Sequence, residues 1–370
     1  MQPQLEIQII AVIVSVACSL PGVFLVLRKM SMMSDAITHT ILLGIVIAFF
    51  MVHSLTSPLL IIGAAAVGVL TGFLTEMLHN TRLMSEDSAI GIVFPFLFSI
   101  AIIIISKYAG LVHLDTESVL LGELAFAPFD RMRVFGIDIG AKAIYSMGAI
   151  LIMNILFVTI FFKELKIVTF DPTLASVLGF SPILIHYLLM TVVSITAVGS
   201  FQAVGSILVV AFMIGPPVIA YLLTDNLKHM VLIAALAGAA SGISGYQFAS
   251  IFDISIAGSM AIMVGTIFLI VFIFAPERGL LTTIKRRKHQ KVDFAEKSLI
   301  FHIYNHEGTD NEYIECGVNT IKDHLHWDND FLNFIVEKLK REEKICIEDN
   351  VIKLTKSGRE YGIKSMSQLF

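Results

Sequence analysis

The chain has 370 residues, 56% of them hydrophobic and 15% charged, with a mean hydropathy of +0.82 and a formal net charge of −4. An ordinary soluble domain carries about 25% charged residues, so this composition excludes a disordered tail, a secreted disulfide scaffold and an ordinary soluble enzyme. The charge is uneven: residues 1–284 hold 15 acidic and 11 basic side chains, and residues 285–370 hold 15 of each. That shift divides the chain into a membrane domain over 1–284, a basic linker at 285–293 and a small polar domain over 294–370. Cys18, Cys316 and Cys346 have no paired spacing, so neither a disulfide framework nor a zinc finger is expected.

A helix needs about 20 mostly apolar residues to cross a bilayer. In chain order such runs are 6–27, 32–53, 58–78, 88–106, 141–163, 182–200, 204–223, 231–250 and 254–275. They predict an all-α polytopic membrane protein with nine transmembrane helices, or eight if Gly199–Gly205 marks a re-entrant break. The first run is read as a retained span, not a signal peptide. No Lys or Arg precedes it, Arg28 and Lys29 follow it, and no small-residue cleavage site is present. In the long segment 107–140, Val119–Ala127 is expected to form a short interfacial helix. Asp115, Glu117, Glu123 and Asp130 make that segment an acidic, solvated surface.

With the N-terminus outside, the inner loops carry Arg28, Lys29, Arg82, Lys163, Lys166, Lys228 and Arg278. The outer loops carry Lys107, Arg131, Arg133 and Lys142, all in one segment. This bias satisfies the positive-inside rule. The run Lys285-Arg286-Arg287-Lys288 then follows the last span as a stop-transfer flank, and the polar domain is cytoplasmic.

Charged groups at bilayer depth are costly and mark functional positions. Asp35 and His39 stand four residues apart and share one helix face. A carboxylate oxygen and an imidazole nitrogen on one face can meet on a divalent cation, and mixed O/N ligation suits Mn, Fe or Zn. Two ligands are too few, and a second copy across a dimer axis would complete four. The other reading is an ion pair near the membrane edge. Glu76, His79 and His186 lie near inner ends of spans. Asn154, Gln202, Tyr246 and Gln247 are expected to bond between helices.

The polar domain reads as α+β. Expected helices are Phe294–Asn305, Val318–Leu325 and Asn329–Glu343, the last with Phe331, Phe334, Ile335 and Leu339 at helical spacing. Ile345–Ile347 and Val351–Leu354 flank a turn, and a last helix begins at Lys356. The order resembles winged-helix domains of bacterial regulators. Residues 291–370 hold 11 basic and 15 acidic side chains, and a DNA reader needs a basic face. Nucleic acid is therefore not the expected partner. His302, His306, His324 and His326 are candidate ligands of a regulatory metal, with Cys316 nearby in sequence.

The stretch from Gly22 to Gly44 contains Asp35-Ala36-x-x-His39 with Gly44 five residues on. It resembles the permease family of bacterial ABC importers for manganese, zinc and iron. Phe170–Gly179 resembles that family's cytoplasmic coupling segment. Val204–Ala211, with Pro216 and Pro217 beyond, resembles its later pore-side helix. The resemblance covers about 1–280; Ser34 and Thr40 depart from the commoner small residues without removing a ligand, and many relatives lack the polar domain.

The resemblance implies a non-enzymatic permease subunit with no permanently bound cofactor. It implies pairing with a second permease, identical or paralogous, around Asp35 and His39. The coupling residues Asp171, Pro172, Ala175, Leu178 and Gly179 would rest on a separate ATPase, because this chain has no Gly-x-x-x-x-Gly-Lys-Ser/Thr loop. An extracellular metal-binding lipoprotein would deliver the cargo. Manganese is the expected metal from the wording of Asp35–Gly44, with zinc and iron as alternatives. A membrane-anchored regulator working through the polar domain, or a carrier that needs no ATP, are readings of other classes. The expected location is the bacterial inner membrane.

Overall fold

The structure is a computed structural model that describes residues 3–53, 57, 59–108, 124–134 and 137–366. It falls into two compact units, Met1–Gly279 and Leu280–Phe370. Among the described residues, nine helices are long and apolar enough to cross a membrane. They are α1 (Pro3–Leu27), α2 (Ser31–Val52), α3 (Leu59–Asn80), α4 (Glu86–Tyr108), α5 (Lys142–Ile160), α8 (Pro182–Val204), α9 (Ser206–Leu223), α10 (Leu227–Phe252) and α11 (Ile256–Phe274). Two short helices, α6 (Phe162–Phe170) and α7 (Pro172–Val177), join α5 to α8.

The possible re-entrant break resolves as a plain turn. Gly205 sits between α8 and α9 with φ +81°, a conformation that L side chains rarely adopt, and full-length helices lie on both sides. A hairpin, β1 (Arg131–Val134) with β2 (Ile137–Ala141), precedes α5 and was not foreseen. Arg131 Nη1 donates to both oxygens of the buried Glu6 at 3.0 Å, which ties this hairpin to the start of α1. The interfacial helix expected at Val119–Ala127 and the residues Asp115, Glu117 and Glu123 lie wholly or mostly outside the described residues. Leu124–Phe126 form a turn and Ala127–Phe129 a single 3₁₀ turn.

In lipid every backbone polar group must be satisfied within the protein, and helices do this segment by segment. Sorting among the helices then follows side-chain size and polarity. Helix α1 is buried along nearly its whole length and packs on α5, α8, α9 and α10. Peripheral helices α4, α5 and α11 leave most of their apolar surface uncovered by protein, as lipid-facing helices do. Asn154 of α5 acts between helices as expected: its Nδ2 donates to the Ala17 carbonyl at 2.8 Å and to Thr196 Oγ1 at 2.9 Å.

Two close approaches set the bundle. At Gly22 the backbone of α1 lies against the carbonyl of Met213 in α9. That carbonyl has lost its helical partner, since Pro217 has no N–H to give it. Helices α2 and α3 cross backbone to backbone at Gly44 and Gly63, where a Cβ on either residue would fall on the other's main chain. One turn below, the hydroxyls of Thr40 and Thr71 meet at 2.7 Å, which accounts for a threonine at that position.

The second unit is built from α12 (Leu280–His306), α13 (Glu312–Glu315), α14 (Ile321–Leu325), α15 (Asn329–Arg341), the hairpin β3 (Ile345–Glu348) with β4 (Val351–Leu354), and α16 (Lys356–Met366). Asp349 and Asn350 both have positive φ, the conformation of a two-residue hairpin turn. Its core gathers Leu299, Ile300, Ile303, Cys316, Ile321, Ile335, Leu339 and Ile352. Helix α12 starts 14 residues before the expected Phe294, so the basic run is helical. Lys and Arg are good helix formers, and nothing between Leu280 and Phe294 interrupts them. Helix α14 is shorter than expected and begins at Ile321, after the Gly317–Thr320 turn.

The Gly44–Gly63 crossing carries a stability prediction. Gly44→Val forces the two backbones apart and should cost about 1–3 kcal/mol. Gly91→Ala, on an open face of α4 with nothing near its Cβ position, should be neutral or stabilising by up to about 1 kcal/mol. Thermal unfolding of both variants in detergent checks the pair.

Candidate functional site

Asp35 and His39 lie about 6 and 12 Å along α2 from its start, at 1.5 Å per residue. Met33, Ser34, Ala36, Ile37, Thr38 and Thr40 around them are buried. Met32, Asp35 and His39 form the half-open stripe left over, with the Asp35 side chain 41% and the His39 side chain 29% exposed. His39 Nε2 stands 3.6 Å from Asp35 Oδ1. The imidazole also packs on Phe94 and Phe98 of α4, with ring centroids 5.2 and 5.9 Å away. The two groups therefore converge, are held by aromatic neighbours and keep an open side. One chain supplies two ligand groups here, and a tetrahedral or larger coordination shell needs more from outside it.

The residues expected to couple, Asp171, Pro172, Ala175, Leu178 and Gly179, cluster at the end of the bundle that also holds the α1–α2 turn. The Asp171 carboxylate accepts the Leu174 N–H at 2.8 Å as N-cap, and Pro172 occupies the first helical position. Gly179 ends α7 with φ +85°. Its N–H bonds Ser176 O at 3.1 Å and the Phe180 N–H bonds Ala175 O at 3.0 Å, the Schellman pattern. Ala175 is fully buried and packs inward, while Leu178 is exposed. Leu174 and Val177 are exposed with it, so α7 shows an apolar face that the site residues taken from sequence did not include.

A polar cluster beside α7 escaped the sequence reading. Arg28, Glu76 and His186 line a cleft of about 300 Å³ together with Thr169 and Pro172. Arg28 Nε donates to Thr169 Oγ1 at 3.2 Å, and burial pushes its guanidinium down to about 10. Glu76 Oε2 and His186 Nε2 stand 3.7 Å apart. Arg28 Nη2, Glu76 Oε2 and His186 Nε2 are buried without a hydrogen-bond partner among the described residues. The available signal was the shared depth of Glu76 and His186 near the same ends of their helices; sequence gave no measure of their separation. His79 is exposed, as expected of a residue reaching water.

In the second unit the four candidate histidines separate. His302, His306 and His324 come together with Glu315, which the sequence reading did not include. His326 caps the end of α14 in a left-handed conformation as an exposed residue and is not among the groups whose ligand atoms converge. Cys316 is fully buried in the core, and burial above all pushes its thiol up to about 11.

Among the described residues, nine helices long and apolar enough to cross a membrane, a carboxylate–imidazole stripe on α2 and a capped short helix with an apolar face at one end define a polytopic membrane protein of the permease class. The chain belongs to the ABC 3 transport family, whose pattern matches residues 4–275. It is 48% identical over 271 residues to the manganese transport system membrane protein MntD of Bacillus subtilis, covering 73% of this chain and 92% of the relative. It is 45% identical over 323 residues to the zinc transport system membrane protein TroD of Treponema pallidum, covering 87% of this chain and 88% of the relative. The solved structure of PsaBC from Streptococcus pneumoniae in complex with Fab superposes with a TM-score of 0.63 at 28% identity, covering 75% of this chain and 94% of that chain.

The caps on α7 yield a local prediction. Asp171→Ala removes one cap and should cost about 0.5–2 kcal/mol, read as faster hydrogen exchange at the Leu174 amide. Asp171→Ser, which keeps an acceptor at the cap, should retain most of the protection.

Proposed function

We propose that the chain is the transmembrane subunit of an ATP-driven importer of divalent transition metal, with manganese as cargo. The observation that carries the reading is the Asp35–His39 pair, converging on a half-open stripe whose neighbours Met33, Ser34, Ala36, Ile37, Thr38 and Thr40 are buried. In this reading a second permease subunit, a copy or a paralogue, presents the same groups from across the pore. The names of MntD and TroD support manganese and zinc as the metals to test. A carboxylate and an imidazole accept either ion, and raw affinity favours zinc over manganese. Selectivity for manganese therefore comes from the size and coordination number of the assembled site.

The end of the bundle that holds α7 carries Arg28, Lys29, Arg82, Lys163, Lys166, Lys228 and Arg278, against Lys107, Arg131, Arg133 and Lys142 at the other. The positive-inside rule makes the α7 end cytoplasmic and the N-terminus external. There the exposed Leu174, Val177 and Leu178 dock on a separate ATPase, and Asp171, Pro172, Ala175 and Gly179 hold that face rigid. Arg28, bonded to Thr169, links the docked segment to the turn that leads into α2. ATPase closure thus has a short path to the helix bearing Asp35 and His39. An extracellular metal-binding lipoprotein supplies the ion at the other end.

We read the second unit as a winged-helix-like domain that serves protein contact or regulation, over residues 294–370 with the basic segment 285–293 leading into it. Helix α15 follows Asp328 and carries Asp330 in its first turn, which does not suit a phosphate backbone.

Radioactive manganese uptake with the ATPase partner present, and zinc as competitor, tests the reading. Asp35→Ala and His39→Ala should each lower uptake at least about 100-fold, the upper end of what the loss of a supporting group at a metal site costs, with assembly and ATP hydrolysis retained. Normal uptake by both variants refutes the metal role of the pair. Separately, Leu178→Asp should lower recovery of the ATPase with the purified permease, and unchanged recovery places the contact elsewhere.

A further inference from the structure

We propose that His302, His306 and Glu315, joined by His324, form a second divalent transition-metal site, lying wholly within the C-terminal unit. His302 and His306 stand four apart near the end of α12, with ring centroids 4.8 Å apart. Glu315 ends α13 and His324 lies in α14, so three segments meet at one point. One ligand atom from each of His302, His306 and Glu315 lies within 4.8 Å of the other two. His324 Nδ1 is 3.2 Å from Glu315 Oε2, and its ring lies 5.9 Å from that of His302.

The chemistry of the group fits a metal better than an ion-pair cluster. His302 and His324 share the Glu315 carboxylate, with His306 beside them; Glu315 has no other ionic partner among the described residues. Three imidazolium groups at this spacing would repel one another, whereas three neutral imidazoles offer lone pairs. The tautomer of His302 follows from its hydrogen bond. Its Nε2 lies 2.9 Å from the Glu315 carbonyl oxygen, which only accepts, so this nitrogen carries the proton and Nδ1 keeps a lone pair. Metal-ligating histidines commonly hold their other ring nitrogen in this way. A tetrahedral ion with bonds of 2.0–2.1 Å needs ligand atoms about 3.4 Å apart, and side-chain rotation closes the remaining gap. The His/carboxylate set selects a first-row divalent ion, with zinc held more tightly than manganese.

Binding would clamp the end of α12 to α13 and α14, segments otherwise joined by the turn containing Gly308 at φ +79°. The four residues belong to the second unit and Asp35 and His39 to the first, so the chain has a place to respond to metal apart from the place where it moves metal. That regulatory step rests on the importer reading; the binding site itself does not.

The test uses the full chain in detergent with Asp35→Ala and His39→Ala installed, so that the stripe on α2 is silent. Zinc is titrated against a chromophoric chelator. We expect one zinc per chain in this background, retained by the added His326→Gln. Adding His302→Gln and His306→Gln should weaken binding by about 100-fold or more, with cobalt absorption bands lost in parallel. Absence of zinc in the background, or unchanged affinity in the His302→Gln, His306→Gln variant, overturns the proposal. If that variant does not fold, Glu315→Gln makes the same comparison: weakened binding supports the site and unchanged affinity overturns it. Transport is not measured, so failure here leaves the importer reading standing, and failure of uptake leaves this site standing.

Discussion

A carboxylate and an imidazole can cross lipid on one helix only if that helix is covered by protein on every other face. This constraint organises the membrane unit. Helix α2 is covered by α3, α4, α8 and α9, and over residues 32–40 what stays open is the stripe of Met32, Asp35 and His39. The covering has to be close, because a loose one would admit lipid or water to the backbone. Gly44 and Gly63 provide the closeness by letting two backbones touch, and the Thr40–Thr71 contact satisfies polar groups one turn away. The glycine five residues beyond His39 therefore belongs to the same device as Asp35 and His39. It fixes the position of the helix that carries them.

The same logic extends to the end of the bundle at α7. A six-residue helix has no stability of its own, since helix nucleation is unfavourable and a short helix gains few bonds. Here both ends are closed by Asp171 and Gly179, and Ala175 anchors the middle by burial. The apolar side chains left outside are therefore presented at fixed positions. Arg28 connects this small rigid body to the α1–α2 turn through Thr169, and the unpartnered groups of Arg28, Glu76 and His186 stand beside it. Buried polar groups without partners cost free energy, commonly about 1–3 kcal/mol each. These three gather in one cleft beside α7, where Glu76 and His186 stand 3.7 Å apart.

The spans were legible because lipid imposes a length and a composition that a sequence displays directly. The caps of α7 were legible too, since Asp-Pro and a terminal glycine act locally. What was not legible depended on distance between segments. Glu76 and His186 are 110 positions apart, and only packing of α3 on α8 brings them to 3.7 Å. His326 looked equivalent to His324 by spacing, yet it closes α14 in a left-handed cap and is not among the groups whose ligand atoms converge. Glu315 had no spacing that linked it to any histidine. Ala175 belonged to the right segment but faces inward, because a helix has two sides and the motif names both.

The two units can also be compared by what their relatives share. The match to MntD, at 271 residues, is shorter than the membrane unit, whereas the match to TroD, at 323 residues, is longer than that unit and includes part of the second. The polar unit is thus part of a pattern that at least one relative shares, and not a chance appendage. Its own core of aliphatic side chains around Cys316 is complete without the histidines, which lie at the half-exposed margin where α12, α13 and α14 meet. Packing alone gives no reason to gather three imidazoles and a carboxylate at that margin. Glu315 pairs with His302 and His324 there, and the proposed divalent ion would give all four groups a common partner.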